Sequence, residues 1–118
     1  ETIFASAVVT AEATSGSFDM RSADYAGVYI NVTATAGTPS ILPVVQYSFD
    51  GSTWAAPTGA TALTAITTPS LTAVAMVKNG ITAQTQTNRI VAPFARIVLS
   101  SVTGSVTTNI SAFVQDLY

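Results

Sequence analysis

Apolar side chains recur at every second position along much of this chain: Val28, Ile30 and Val32, then Val45, Tyr47 and Phe49, then Ile97 and Leu99. That period belongs to an extended strand, whose successive side chains point to opposite faces; a helix needs apolar residues three and four apart. Between the runs lie Gly, Pro, Asn and Asp, which turn a chain, and the runs themselves are rich in β-branched and aromatic residues. The chain therefore reads as all-β. Strands are expected at residues 3–10, 17–20, 27–34, 44–49, 63–67, 71–78, 81–85, 89–91, 95–102 and 106–117.

Three turns set the expected register. Asn79-Gly80 tolerates the positive φ of a type I′ turn and predicts a tight hairpin between 77–78 and 81–82. Asp50-Gly51 predicts a slightly longer turn before Trp54. Thr103-Gly104, read as a two-residue loop, sets Leu99 opposite Thr108, Ile97 opposite Ile110 and Ala95 opposite Ala112 on an apolar face, with Arg96 opposite Ser111 on the other. The expected core is Val28, Ile30, Val32, Val45, Tyr47, Val77, Ile97, Leu99, Ile110 and Val114.

With 118 residues and 48% hydrophobic content, the chain suits one domain spanning 1–118. Surface scaling leaves roughly 6,000 Å² of about 17,500 Å² exposed on folding, enough burial to need no disulfide or metal. Many short strands and no credible helix favour an antiparallel β-sandwich of jelly-roll type, with a partly closed barrel as the alternative. Residues 55–69, rich in Ala, Thr and Pro, read as a long connection between sheets. No run of about 18 apolar residues exists for a membrane helix.

The sequence contains no Cys and no His. This excludes thiol nucleophiles, His-based triads and the usual zinc and haem ligation. Charged residues make up 8% of the chain, against about 25% in an average soluble domain. At net charge −2 and without a basic cluster, neither nucleic acid nor anionic membrane is an expected partner. A surface so poor in charge is expected to work inside an assembly, unless its many hydroxyls suffice to keep a monomer soluble.

The remaining chemistry is sparse, and no catalytic residue, cofactor or metal is expected. Asp50 is explained by its turn, and Asp19 and Asp24 lack the alternating acids and amides of a calcium loop. Lys78 sits at a hairpin tip, and the glycines are scattered rather than gathered into a phosphate loop. Asn31-Val32-Thr33 and Asn109-Ile110-Ser111 match the glycosylation triplet inside expected strands. Trp54 reads as a core residue packing across a sheet end, or alternatively as a platform for a sugar. Ile3, Phe4, Phe94, Phe113, Leu117 and Tyr118 are the candidate subunit-interface residues, with extended arms expected at 1–5 and 115–118.

The run Val44-Val45-Gln46-Tyr47-Ser48-Phe49-Asp50-Gly51-Ser52-Thr53-Trp54, the strand Pro93-Phe94-Ala95-Arg96-Ile97-Val98-Leu99 and the turn Val102-Thr103-Gly104-Ser105 together resemble small virion proteins of tailed bacteriophages. So does Tyr25-Ala26-Gly27-Val28-Tyr29-Ile30-Asn31-Val32, which looks like the first central strand of that group. Phe49 departs from the pattern, since the turn there more often begins with polar residues. The resemblance implies a non-enzymatic β-sandwich decoration (cement) protein on the outer capsid surface, bound to the major capsid protein as a homo-oligomer, trimer or dimer. The competing expectations are a tail, neck or fibre component, and a carbohydrate-binding module that uses Trp54.

Overall fold

Two pairs of expected strands join end to end into single long strands, and these two strands organise the molecule. The computed structural model describes residues 1–21, 25–56, 63–77, 80–81 and 93–115. Its strands are β1 (Thr2–Val9), β2 (Ala13–Thr14), β3 (Phe18–Asp19), β4 (Tyr25–Ser48), β5 (Ser70–Val77), β6 (Gly80–Ile81) and β7 (Phe94–Gln115). They form one antiparallel sheet in the order β1-β7-β4-β5-β6, with β2 and β3 also pairing with β7. The expected all-β class and antiparallel pairing are thus found. Among the described residues no helix is long and apolar enough to cross a membrane.

β4 and β7 run antiparallel along their whole length, from Tyr25↔Gln115 to Ser48↔Phe94. The hairpin expected at Thr103-Gly104 is therefore corrected: the chain continues through it, and Ile97 pairs with Val45 while Ile110 pairs with Ile30. Register shifts at Ala36/Ser40 and Ser40/Leu42 mark a bend there. Gly37 (φ 73°) and Gly104 (φ 62°) sit in it, and Ser101 (φ 49°) also takes the left-handed conformation. The Thr103 hydroxyl donates to the Thr38 carbonyl at 3.0 Å, and that of Ser100 to Leu42 at 2.9 Å. These bonds hold the irregular backbone where the ladder is interrupted.

The bend changes which alternate residues face inward. Val28, Ile30 and Val32 are buried before it in β4, and Ile41, Val45 and Tyr47 after it. In β7 the switch runs from Ala95, Ile97 and Leu99 to Val106, Thr108 and Ile110. The apolar residues of both halves belong to one buried cluster. The inward hydroxyl of Thr108 is satisfied by donating to the Asn31 carbonyl at 2.9 Å. Eight of the expected core residues are buried: Val28, Ile30, Val32, Val45, Tyr47, Ile97, Leu99 and Ile110. Val114 is not; it is 49% exposed, one pair from the end of the β4–β7 ladder, where cover by the core runs out. The side chain of Val77 lies outside the described residues.

The expected arm at 1–5 is corrected as well. β1 lies along β7 from Thr2↔Ser111 to Val9↔Val106, with two register shifts. The Glu1 nitrogen donates to the Ala112 carbonyl at 2.9 Å, and the Ala112 N–H returns a bond to the Glu1 carbonyl at 2.8 Å. Farther along, Ser15 is buried and stitches the gap between β2 and β3. Its N–H donates to the Ile97 carbonyl, and its hydroxyl oxygen accepts from the Ile97 N–H at 2.9 Å. The β5–β6 pairing ends at Val77↔Gly80, one residue earlier than an Asn79-Gly80 turn predicts. Lys78 and Asn79 lie outside the described residues.

Candidate contact surface

The outward face of the sheet half made by β1, β5 and the adjoining halves of β4 and β7 follows from alternation. Residues between buried ones point to solvent, and these include Tyr29 between Val28 and Ile30, and Val8 before Val9. Leu71 pairs with Asn31 and Ala73 with Tyr29, so both share that face. Phe113 pairs with Gly27, and the Tyr29 ring passes close to that glycine. The two rings meet edge to face, with centroids 5.8 Å apart and planes at 72°. Leu71 is 64% exposed and Phe113 56%. None of the strand residues in this half is charged.

The turn after β4 is held by short polar side chains. The Ser48 hydroxyl oxygen accepts from the Asp50 and Gly51 N–H groups and donates to Asp50 Oδ1 at 3.0 Å. Asp50 Oδ1 accepts from the Ser52 and Thr53 N–H groups at 2.8 and 2.7 Å. This is the turn role expected of Asp50. Between Ser48 and Asp50 the backbone presents Phe49, which is 74% exposed.

The N–H bonds from Thr53 and Ser52 lower the Asp50 carboxyl to about 2. A carboxyl whose folded value lies below its unfolded one stabilises the fold fully above the unfolded value of about 3.9, and loses that effect as pH falls through the folded one. The urea midpoints of the protein and of Asp50→Ala are expected to differ by a constant amount above about pH 4 and to converge toward about pH 2. A gap unchanged down to pH 2 removes this role from Asp50.

Trp54 is half-buried but lies outside the core cluster, which corrects the core reading. The Arg96 guanidinium stacks over its ring, 4.3 Å from the centroid, and Arg96 Nε donates to Gln46 Oε1 at 2.9 Å. Gln46 and Arg96 are cross-strand partners between inward-facing neighbours, so Trp54 covers the outer face of the sheet. Nearby, Asp19 and Arg21 form an exposed ion pair that keeps the Asp19 carboxyl below its usual range. The Arg21 guanidinium carbon lies 5.1 Å from the centre of the Phe94 ring.

The interface candidates therefore separate. Ile3 is 8% exposed and part of the core, and Phe4 packs against that core, so neither projects as an anchor. Phe94 is half-buried beneath Arg21, with Gly51 against its ring edge. Phe113 stands on the exposed face. Leu117 and Tyr118 lie outside the described residues. Tyr29, Leu71 and Phe49 were not among the candidates, although alternation marks Tyr29 as outward. An open groove of about 320 Å³ is lined by Leu63, Ile66 and the hydroxyls of Thr64, Thr67, Ser70 and Thr72, without a titratable group. Among the described residues no three His, Cys, Asp or Glu gather as metal ligands. Comparison with protein families, curated proteins and solved structures finds no match for this chain.

Proposed function

We propose that the chain is a non-enzymatic structural subunit of a phage particle, a decoration protein that binds the outer capsid surface and stabilises the shell through subunit contacts. Its sheet, doubled over at Gly37 and Gly104 around a shared core, serves as a jelly-roll-like sandwich in this reading. The observation that carries it is the placing of large apolar side chains outward at two separate sites, on backbone fixed by pairing or by turn hydrogen bonds. Leu71 and Phe113 occupy the sheet face, and Phe49 the loop tip. An exposed aromatic on a pre-ordered turn loses little entropy on docking, and many such weak contacts add up on a repetitive shell. The resemblance of residues 44–54, 93–99 and 102–105 to tailed-phage virion proteins is in keeping with the same reading.

The test is quantitative mass spectrometry of purified particles. The expected result is a ratio to the major shell protein close to one or to a simple fraction of it, with occupancy reduced in Phe49→Asp. A few copies per particle moves the chain to the tail, neck or a fibre. Absence from particles overturns the virion assignment and turns attention to glycan binding around Trp54.

A further inference from the structure

A sheet face that meets water is ordinarily protected by charged side chains, which stop it from pairing or stacking with another copy. Among the described strand residues, the face around Tyr29 and Phe113 has no such protection. β1, β5, β6, residues 25–36 of β4 and residues 105–115 of β7 contain no Asp, Glu, Lys or Arg. Val8, Tyr29, Leu71 and Phe113 nevertheless expose between 41% and 64% of their surface there.

We propose that this face is the contact between two copies of the chain, packed sheet against sheet about a twofold axis near the Tyr29–Phe113 pair. A twofold contact sets each patch against itself, so any charge on the patch would meet charge of its own sign nearby. An uncharged patch is self-complementary in this respect. It also offers nothing to a strongly charged partner or to anionic lipid headgroups, which need basic residues to hold them.

The dimensions agree. Four strands at about 4.8 Å spacing and eight residues at about 3.3 Å rise give a face of roughly 500 Å² per copy. Two such faces bury about 1,000 Å², the lower bound for a specific dimer. The edge-to-face contact of Tyr29 with Phe113 orders both rings before association, so the central anchors lose little freedom on binding. Leu71 and Ala73 extend the patch on one side, and Val8 on the other.

The inference deepens the reading of the chain as an assembly subunit, but it is tested on the isolated chain, away from particles. Sedimentation equilibrium of the full chain, up to about 1 mM, is expected to show 12.1 kDa monomers converting to dimers. Leu71→Asp and, separately, the milder Phe113→Ser are expected to weaken the dimer at least about tenfold, with circular dichroism unchanged. Phe49→Asp, in the turn after β4 and outside the strands of that face, leaves it intact. Should Leu71→Asp unfold, Phe113→Ser and concentration-dependent shifts of the Tyr29 ring resonances in the unmodified protein decide the matter. A chain that stays monomeric, a dimer indifferent to Phe113→Ser, or one broken by Phe49→Asp overturns the proposal. A dimer of a chain that is absent from particles would leave the contact standing and remove only the virion function.

Discussion

Gly104→Ala is expected to destabilise the protein by about 3 kcal/mol or more, a large share of the roughly 5–15 kcal/mol that holds a domain together. Two effects combine. At φ 62° an L side chain costs about 1–2 kcal/mol that glycine avoids. A Cβ on Gly104 would also lie 2.7 Å from the Ala36 carbonyl oxygen and 2.9 Å from the Thr38 carbonyl carbon and oxygen. These are backbone atoms of β4, so relief requires the two long strands to separate at their bend. Gly37 and Gly51 supply the internal comparison. Both have positive φ, but a Cβ at Gly37 would come no closer than 3.6 Å to another atom, and one at Gly51 no closer than 3.7 Å. Gly37→Ala and Gly51→Ala should therefore show only the conformational cost, about 1–2 kcal/mol. Urea unfolding of the three variants checks the order, and equal losses would show that close strand approach at Gly104 contributes nothing.

The same bend explains what was legible in the sequence and what was not. Period-two alternation carries the strand class and most of the core, since Ile97, Leu99 and Ile110 are buried whichever way the chain runs. It does not carry connectivity. A two-residue hairpin loop and a bulged bend both invert the inward parity between Leu99 and Val106, so the pattern at Thr103-Gly104 fits either. What separates them is the pairing of β7 with β4 on both sides of the bend, a contact between residues 46 to 90 positions apart, from Ser48↔Phe94 to Tyr25↔Gln115. The local turn at Asp50 was readable because its hydrogen bonds reach only a few residues. Of the contact surface, Phe113 was anticipated. Leu71 was not, because its outward direction depends on pairing with Asn31. Trp54 was misplaced for a related reason: its partner, Arg96, comes from the far strand.

Removing residues 1–4 is expected to cost about 5 kcal/mol or more and to leave the chain unfolded or insoluble, where an extended arm would be lost without effect on stability. Ile3 is buried in the core, and replacing such a residue with Ala alone costs about 2–5 kcal/mol. The truncation also takes away Phe4, which packs on the same cluster. It breaks the paired bonds between Glu1 and Ala112, and it leaves the Gly16 N–H without the Ile3 carbonyl that accepts it at 2.7 Å. Val8→Ser provides the contrast, because Val8 is 64% exposed in the same strand and its loss should stay within about 0.5 kcal/mol. The check is the urea midpoint of each variant, and a truncated chain with an unchanged midpoint would restore the arm. The distinction governs how particle binding must be probed. If β1 is part of the fold, a truncated chain that fails to bind a shell reports unfolding rather than a lost contact. Contacts are then to be read from Phe49 and Leu71, whose side chains lie outside the core and can be changed without opening it.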